Sequence, residues 1–273
     1  MKRTATILVM SLAVYGWAQD AGKAVPATSQ TAAPQGKRPP QAKTQPEYDA
    51  YKAAAALTDA AAQEKAADDF TAKFADSELR SMLYKSAMHS YQQGNNADKM
   101  VAMARKVLSY DGDDPEALLG VAQALAERTR DTDLDRDDRL AEARKSAERA
   151  LTTIDTDVPS TGTPQEKLDA YKGFLRSEAY AVLGSLDFNN KAWATAEKNL
   201  RQSIDAFPQQ VDTIAVFRLA VSLDMQNRYP EAQKYANQAV ELTKEGTPSG
   251  DAARRERDRL AQLTGGASTP AKN

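Results

Sequence analysis

The stretch that decides the fold is AYAVLGSLDFNNKAWATAEKNL, residues 179–200, together with its echo AVFRLAVSLDMQNRYPEAQKYANQAVEL, residues 215–242. A shift of 36 residues lays Leu183 on Leu219, Gly184 on Ala220, Ala196 on Ala232 and Ile204 on Val240. Within each copy the apolar positions recur at helical spacing on either side of a polar turn, so each copy is a pair of helices. Upstream the period is 34: Ala87 falls on Val121, Met88 on Ala122 and Tyr91 on Leu125, and Ala66 on Met100 and Phe70 on Ala104. A helix pair repeated at this interval cannot bury its apolar face alone, and stacking on its neighbours is what supplies a core.

Composition agrees. The 273 residues include 50 alanines but only 16 valines and isoleucines together, a balance that favours helix and leaves too few branched residues for the faces of a sheet. Absence of cysteine excludes disulfides, thiolate metal sites and a cysteine nucleophile, and one histidine excludes histidine-rich metal clusters. No glycine-rich phosphate loop is present, since Gly265-Gly266 lacks both a following Lys-Ser/Thr and a preceding strand. No cofactor and no metal are therefore expected.

At these residues the chain resembles the tetratricopeptide repeat family. Residues 179–184 are similar to the core of the family's first helix, Trp193-Ala194-Thr195-Ala196 to its turn into the second, and Pro208 to its closing proline. Residues 232–242 are similar to the family's second helix throughout, preceded by Leu219-Ala220 and by Tyr229-Pro230-Glu231 at the turn. The resemblance spans residues 46–247, in units 46–80, 81–114, 115–155, 164–210 and 213–247, with a polar cap helix at 249–264 and a tail at 265–273. It implies an all-α fold, a right-handed superhelical solenoid of about five helix pairs.

The third unit is irregular. Its second helix starts nine residues late, after an insertion near 128–138 rich in aspartate. Asp131, Asp133, Asp135 and Asp137 alternate, with Glu142 eleven residues after Asp131, but Arg136 stands where a calcium loop turns on glycine. A solvated loop with Asp-Arg pairing is expected instead. Thr163-Pro164-Gln165-Glu166 then starts a helix early, running to about Phe188.

The amino-terminal residues read as an address. Lys2 and Arg3 precede an apolar run from Ala5 to Tyr15, and Gly16 and Ala18 supply small residues for cleavage after Ala18. A spanning anchor needs about 17 to 25 apolar residues, more than this run offers. Residues 1–18 are thus expected as a signal peptide, with export to the periplasm or beyond. Residues 19–45, rich in Pro, Ala, Lys and Gln, have little to bury and are expected as a disordered linker. The arm is locally basic and is expected to make weak contact with an anionic envelope surface. Without Lys2 and Arg3 the chain carries 34 basic against 38 acidic groups, so no nucleic-acid partner is expected.

In such a stack the first helices form a concave wall, and the family's phase points Tyr48, Tyr51, Lys85, His89 and Gln92 inward from the first two units. Leu119, Gln123 and Glu127 follow in the third, Phe188 and Asn189 in the fourth, and Phe217, Asp224 and Met225 in the fifth. The Lys-Asn carboxylate clamp of chaperone-binding members is not reproduced, since His89 lies one turn beyond Lys85. Aromatic rings interleaved with amides suit an extended peptide or a helix of a protein partner. His89 has no Ser-His-Asp or carboxylate spacing around it that would make it a general base. The function expected is a non-catalytic interaction scaffold of the bacterial cell envelope, and residues 69–80, DFTAKFADSELR, look like outer-membrane assembly members of the family. The competing assignments are an accessory subunit of an envelope or polysaccharide-processing complex, and an enzyme. Both need a polar catalytic cluster or a tryptophan platform, and cleavage would leave only Trp193.

Overall fold

A computed structural model describes residues 37–159 and 162–265. The expected signal peptide, the linker as far as residue 36 and the tail from residue 266 lie outside the described residues. Eleven helices and no strand occur among the described residues: α1 (Gln45–Ala55), α2 (Ala60–Lys73), α3 (Arg80–Gln93), α4 (Ala97–Tyr110), α5 (Pro115–Arg128), α6 (Arg136–Asp157), α7 (Gln165–Asn189), α8 (Trp193–Ala206), α9 (Thr213–Asp224), α10 (Tyr229–Glu241) and α11 (Pro248–Leu263). None is long and apolar enough to cross a membrane.

Each helix packs on the next in sequence, and α1 also touches α3, α5 touches α7, α7 touches α9 and α9 touches α11. This pattern of neighbours is that of a helical repeat, with the odd-numbered helices in one layer. Alanine makes the close contacts possible: Ala67, Ala87, Ala104, Ala147, Ala196, Ala232 and Ala239 are wholly buried. Larger side chains such as Tyr84, Met103, Leu200, Leu219 and Leu260 fill the space between. Gly184 on α7 is required by proximity, because a Cβ there would lie 2.8 Å from both Cγ and Cδ2 of Leu200. Gly173, also on α7, has a similar reason, since a Cβ there would lie 2.7 Å from the carbonyl oxygen of Ala206.

The repeat is also written in the turns. Asn95, Lys191 and Asn227 all adopt left-handed backbone, with φ of 54°, 57° and 59°. In each turn the same two hydrogen bonds recur: Asn95 N–H to Gln92 and Asn96 N–H to Tyr91, Lys191 to Phe188 and Ala192 to Asp187, Asn227 to Asp224 and Arg228 to Leu223. Asparagine tolerates this conformation better than most residues. The corresponding connection in the third pair, residues 129–135, is instead the aspartate-rich insertion. Arg136 pairs there with Asp131 at 3.1 Å and Asp137 at 2.7 Å.

Even-numbered helices are tied across pairs by ions: Lys99 to Glu64 at 2.9 Å, Lys106 to Asp68 at 2.9 Å, Arg105 to Glu142 at 3.0 Å and Arg201 to Glu231 at 3.0 Å. Residues 37–44 differ from the sequence expectation of free linker. Lys37 and Arg38 form ion pairs with the stack, and Thr44 caps α1 by accepting from Glu47 N–H. Composition registers only how little apolar surface such a segment can bury, and these tethers are electrostatic.

Candidate functional site

The most densely connected polar group of the odd-numbered layer sits where α3, α5 and the early turns of α7 converge. Lys85 and His89 are one turn apart on α3 and so project together. Asp114, the N-cap of α5, accepts from Ala117 N–H at 2.9 Å and also forms an ion pair with the Lys85 ammonium. Glu116, in the first turn of α5, takes Lys85 Nζ at 3.3 Å on one oxygen and His89 Nε2 at 2.7 Å on the other. Tyr171 of α7 adds a hydrogen bond to Glu116.

Burial opposes the charge on Glu116, but the Lys85 ammonium, His89 and Tyr171 together outweigh it, and the carboxyl is held well below the usual carboxylate range. Burial likewise opposes the charge on Lys85, and Asp114 and Glu116 reverse the effect and raise it. Tyr171 is pushed well above the ordinary phenol range by burial and then by the Glu116 charge. The side chains of Lys85 and Glu116 keep about a quarter of their exposure, 25% and 23%. The cluster thus reaches solvent while remaining internally paired.

Further along the layer, Gln123 of α5 donates to Glu178 of α7. Arg144 and Asn199 both donate to the buried Asp187, at 2.5 Å and 2.7 Å. Arg218 of α9 donates to Ser185 and stands 5.6 Å from the centre of the Phe188 ring. Phe188 is half-buried and meets Trp193 edge to face at 5.4 Å. Phe217 is half-buried against the cluster of Val216, Ala239 and Ala253.

At the amino-terminal end Tyr48 is exposed with Lys52 over its ring, whereas Tyr51 packs on the core and its hydroxyl contacts Met82 Sδ at 3.9 Å. Gln92 is half-buried, and Glu127, Asn189 and Met225 are exposed. Two residues expected on the open wall are instead buried. Leu119, 4% exposed, is covered by the early turns of α7, whose Leu168, Leu175 and Ala179 join it and Leu118 in one apolar cluster. Asp224, 7% exposed, is covered by α11, where Arg259 pairs with it. In each case a distant helix lies across a position that a regular unit would leave open.

Glu116, Tyr171, Glu178, Ser185 and Arg218 were not among the residues expected here. The legible signal was Asp114-Pro115-Glu116, a helix start that places an acid in the first turn next to Lys85 and His89 one unit back. Chemically, the layer offers hydrogen-bond donors and acceptors, paired charges and ring faces in succession. Among the described residues no group of three or more His, Cys, Asp or Glu could hold a metal ion. Compared with known proteins, the chain matches no protein-family model and no curated protein.

Proposed function

We propose that this chain is a non-catalytic scaffold of the bacterial cell envelope, exported after loss of its signal peptide. On this reading it is a right-handed superhelical stack of tetratricopeptide-like pairs, and the odd-numbered helices form a concave groove that holds a peptide or helix of a protein partner. The observation that carries the reading is the succession of exposed and half-buried polar, aromatic and thioether side chains along one helix layer: Tyr48, Lys85, His89, Gln123, Phe188 and Met225 come from five consecutive pairs. Surfaces of this composition bind through distributed contacts, with aromatic anchors and amides flanking them. The three identically built turns at Asn95, Lys191 and Asn227 support the repeat phase on which the groove assignment depends.

Site-specific photo-crosslinking in the producing cell tests the proposal. A photoreactive residue at Gln123, Asn189 or Met225 should trap one and the same protein. The same residue at Lys145 on α6 or Lys234 on α10, both exposed on the even-numbered helices, should trap none of it. Equal yields from both layers, or none from the first set, would remove the groove assignment.

A further inference from the structure

Residues 37–43, KRPPQAK, run along the edge of the stack where the second helices of three successive pairs end. Lys37 N–H donates to the carbonyl of Thr156 at 2.7 Å, and its ammonium reaches Asp111, the C-cap of α4, at 2.5 Å and Asp157, the last residue of α6, at 3.4 Å. Arg38 forks onto both oxygens of Glu78 at 2.9 and 2.6 Å, and Gln41 N–H donates to Glu78 at 3.3 Å. Lys43 Nζ donates to the carbonyl of Asp76 at 2.7 Å. Glu78 and Asp76 belong to the connection that follows α2.

Every acceptor on this edge is a carboxylate or a carbonyl, and the helix C-termini behind it add negative partial charge. Pro39 and Pro40 fix the intervening backbone angles and favour an extended run, which lets the cations of a short segment reach acceptors on three pairs. The arm is nonetheless held mainly by partly exposed contacts: the Arg38 side chain is 63% exposed and that of Lys37 37%. Such pairs are individually weak and screened by salt, and the arm inserts no large apolar side chain. It is seated as a ligand is seated rather than as a core element.

We propose that this edge is a receptor for an extended basic segment with prolines between its cations. The chain's own residues 37–43 fill it in cis, and a protein partner bearing such a segment docks by displacing the arm. The inference concerns the helix-end edge and does not rest on the groove reading.

The test uses the full chain and a fluorescent, end-blocked peptide of residues 37–43. In the double variant Lys37→Glu, Arg38→Glu the arm is repelled by its own acceptors and the edge is opened. The peptide should bind this variant at least about tenfold more tightly than it binds the natural chain, whose edge is filled. Raising sodium chloride from about 0.05 to about 0.5 M should weaken binding roughly tenfold, and adding Glu78→Ala, which cannot pair with a glutamate at residue 38, should weaken it by a further factor of about ten. Three results would overturn the proposal: no binding to an opened variant that keeps its helical signal, equal binding to opened and natural chains, or binding unchanged by Glu78→Ala. The milder Lys37→Ala, Arg38→Ala variant is measured alongside. Loss of helical signal in both would also overturn it, by making the arm an integral brace.

Discussion

A single methyl group at Gly184 tests how tightly α7 and α8 are packed. In Gly184→Ala the added Cβ would sit 2.8 Å from Cγ and Cδ2 of Leu200 and 3.2 Å from its backbone nitrogen. Leu200 is wholly buried, so it has no solvent side into which to turn. Two terms oppose each other. Alanine in place of glycine inside a helix gains about 0.8–1 kcal/mol, while overpacking a filled contact costs about 1–3 kcal/mol. The net expectation is a loss of about 1 kcal/mol. Leu200→Ala alone removes a wholly buried side chain and should cost about 2–5 kcal/mol. In the double variant the contacts with Cγ and Cδ2 have gone and only the 3.2 Å approach to the backbone nitrogen persists, while the helix gain remains and the new methyl occupies part of the vacated space. The double variant should therefore be more stable than Leu200→Ala by about 1 kcal/mol. A coupling of about 1–3 kcal/mol, the size of the overpacking loss, should appear in a double-mutant cycle measured by urea unfolding. Additivity within about 0.5 kcal/mol would show that the two helices do not meet as described.

Other perturbations probe other links. Ala232 is wholly buried between α9 and α10, and Ala232→Leu should cost about 1–3 kcal/mol; an unchanged melting curve would put the phase of the last pair in doubt. Lys191→Gly should stabilise by about 0.5–1 kcal/mol, because lysine is strained at a φ of 57° where glycine is not; a lowered melting temperature would contradict this. Glu116→Gln leaves Lys85 with half of its counter-charge, and with a quarter of the pair exposed the loss at pH 7 should be about 1–3 kcal/mol, below that of a fully buried pair. Since the carboxyl of Glu116 is depressed in the folded chain, its contribution is present above its ordinary value of 4.5 and is lost as pH falls below it. The stability gap between natural and variant chains should accordingly close in acid, and a gap independent of pH down to unfolding would refute the assignment.

What the sequence made legible was what is local and periodic. The helix starting at residue 164 and running to about Phe188 is observed as Gln165–Asn189, and the cap helix at 249–264 as Pro248–Leu263. Both rest on short-range signals, proline at a helix start and apolar residues at helical spacing. Leu119 and Asp224 were misplaced because their burial is decided by α7 and α11, helices whose crossing no periodicity within α5 or α9 encodes. The Glu116 cluster was half legible: Lys85 and His89 announce themselves one turn apart, but Tyr171 joins only because α7 starts early and folds back over α5. Least legible was the arm at residues 37–43, whose ion pairs with Asp111 and Asp157 span 74 and 120 residues. Its basic, proline-containing composition reads equally as a solvated linker.

The central claim is that binding is distributed along the odd-numbered layer and requires no reactive residue. It is tested most directly by calorimetry of the segment trapped by crosslinking, titrated into the natural chain and into His89→Ala, Gln123→Ala, Phe188→Ala and Met225→Ala, with a melting curve for each. Partial losses of about 0.5–2 kcal/mol are expected, spread over several of these positions with Phe188 the largest, alongside melting curves that keep a folded baseline. Unchanged affinity in all four, or abolition by His89→Ala alone, would contradict it.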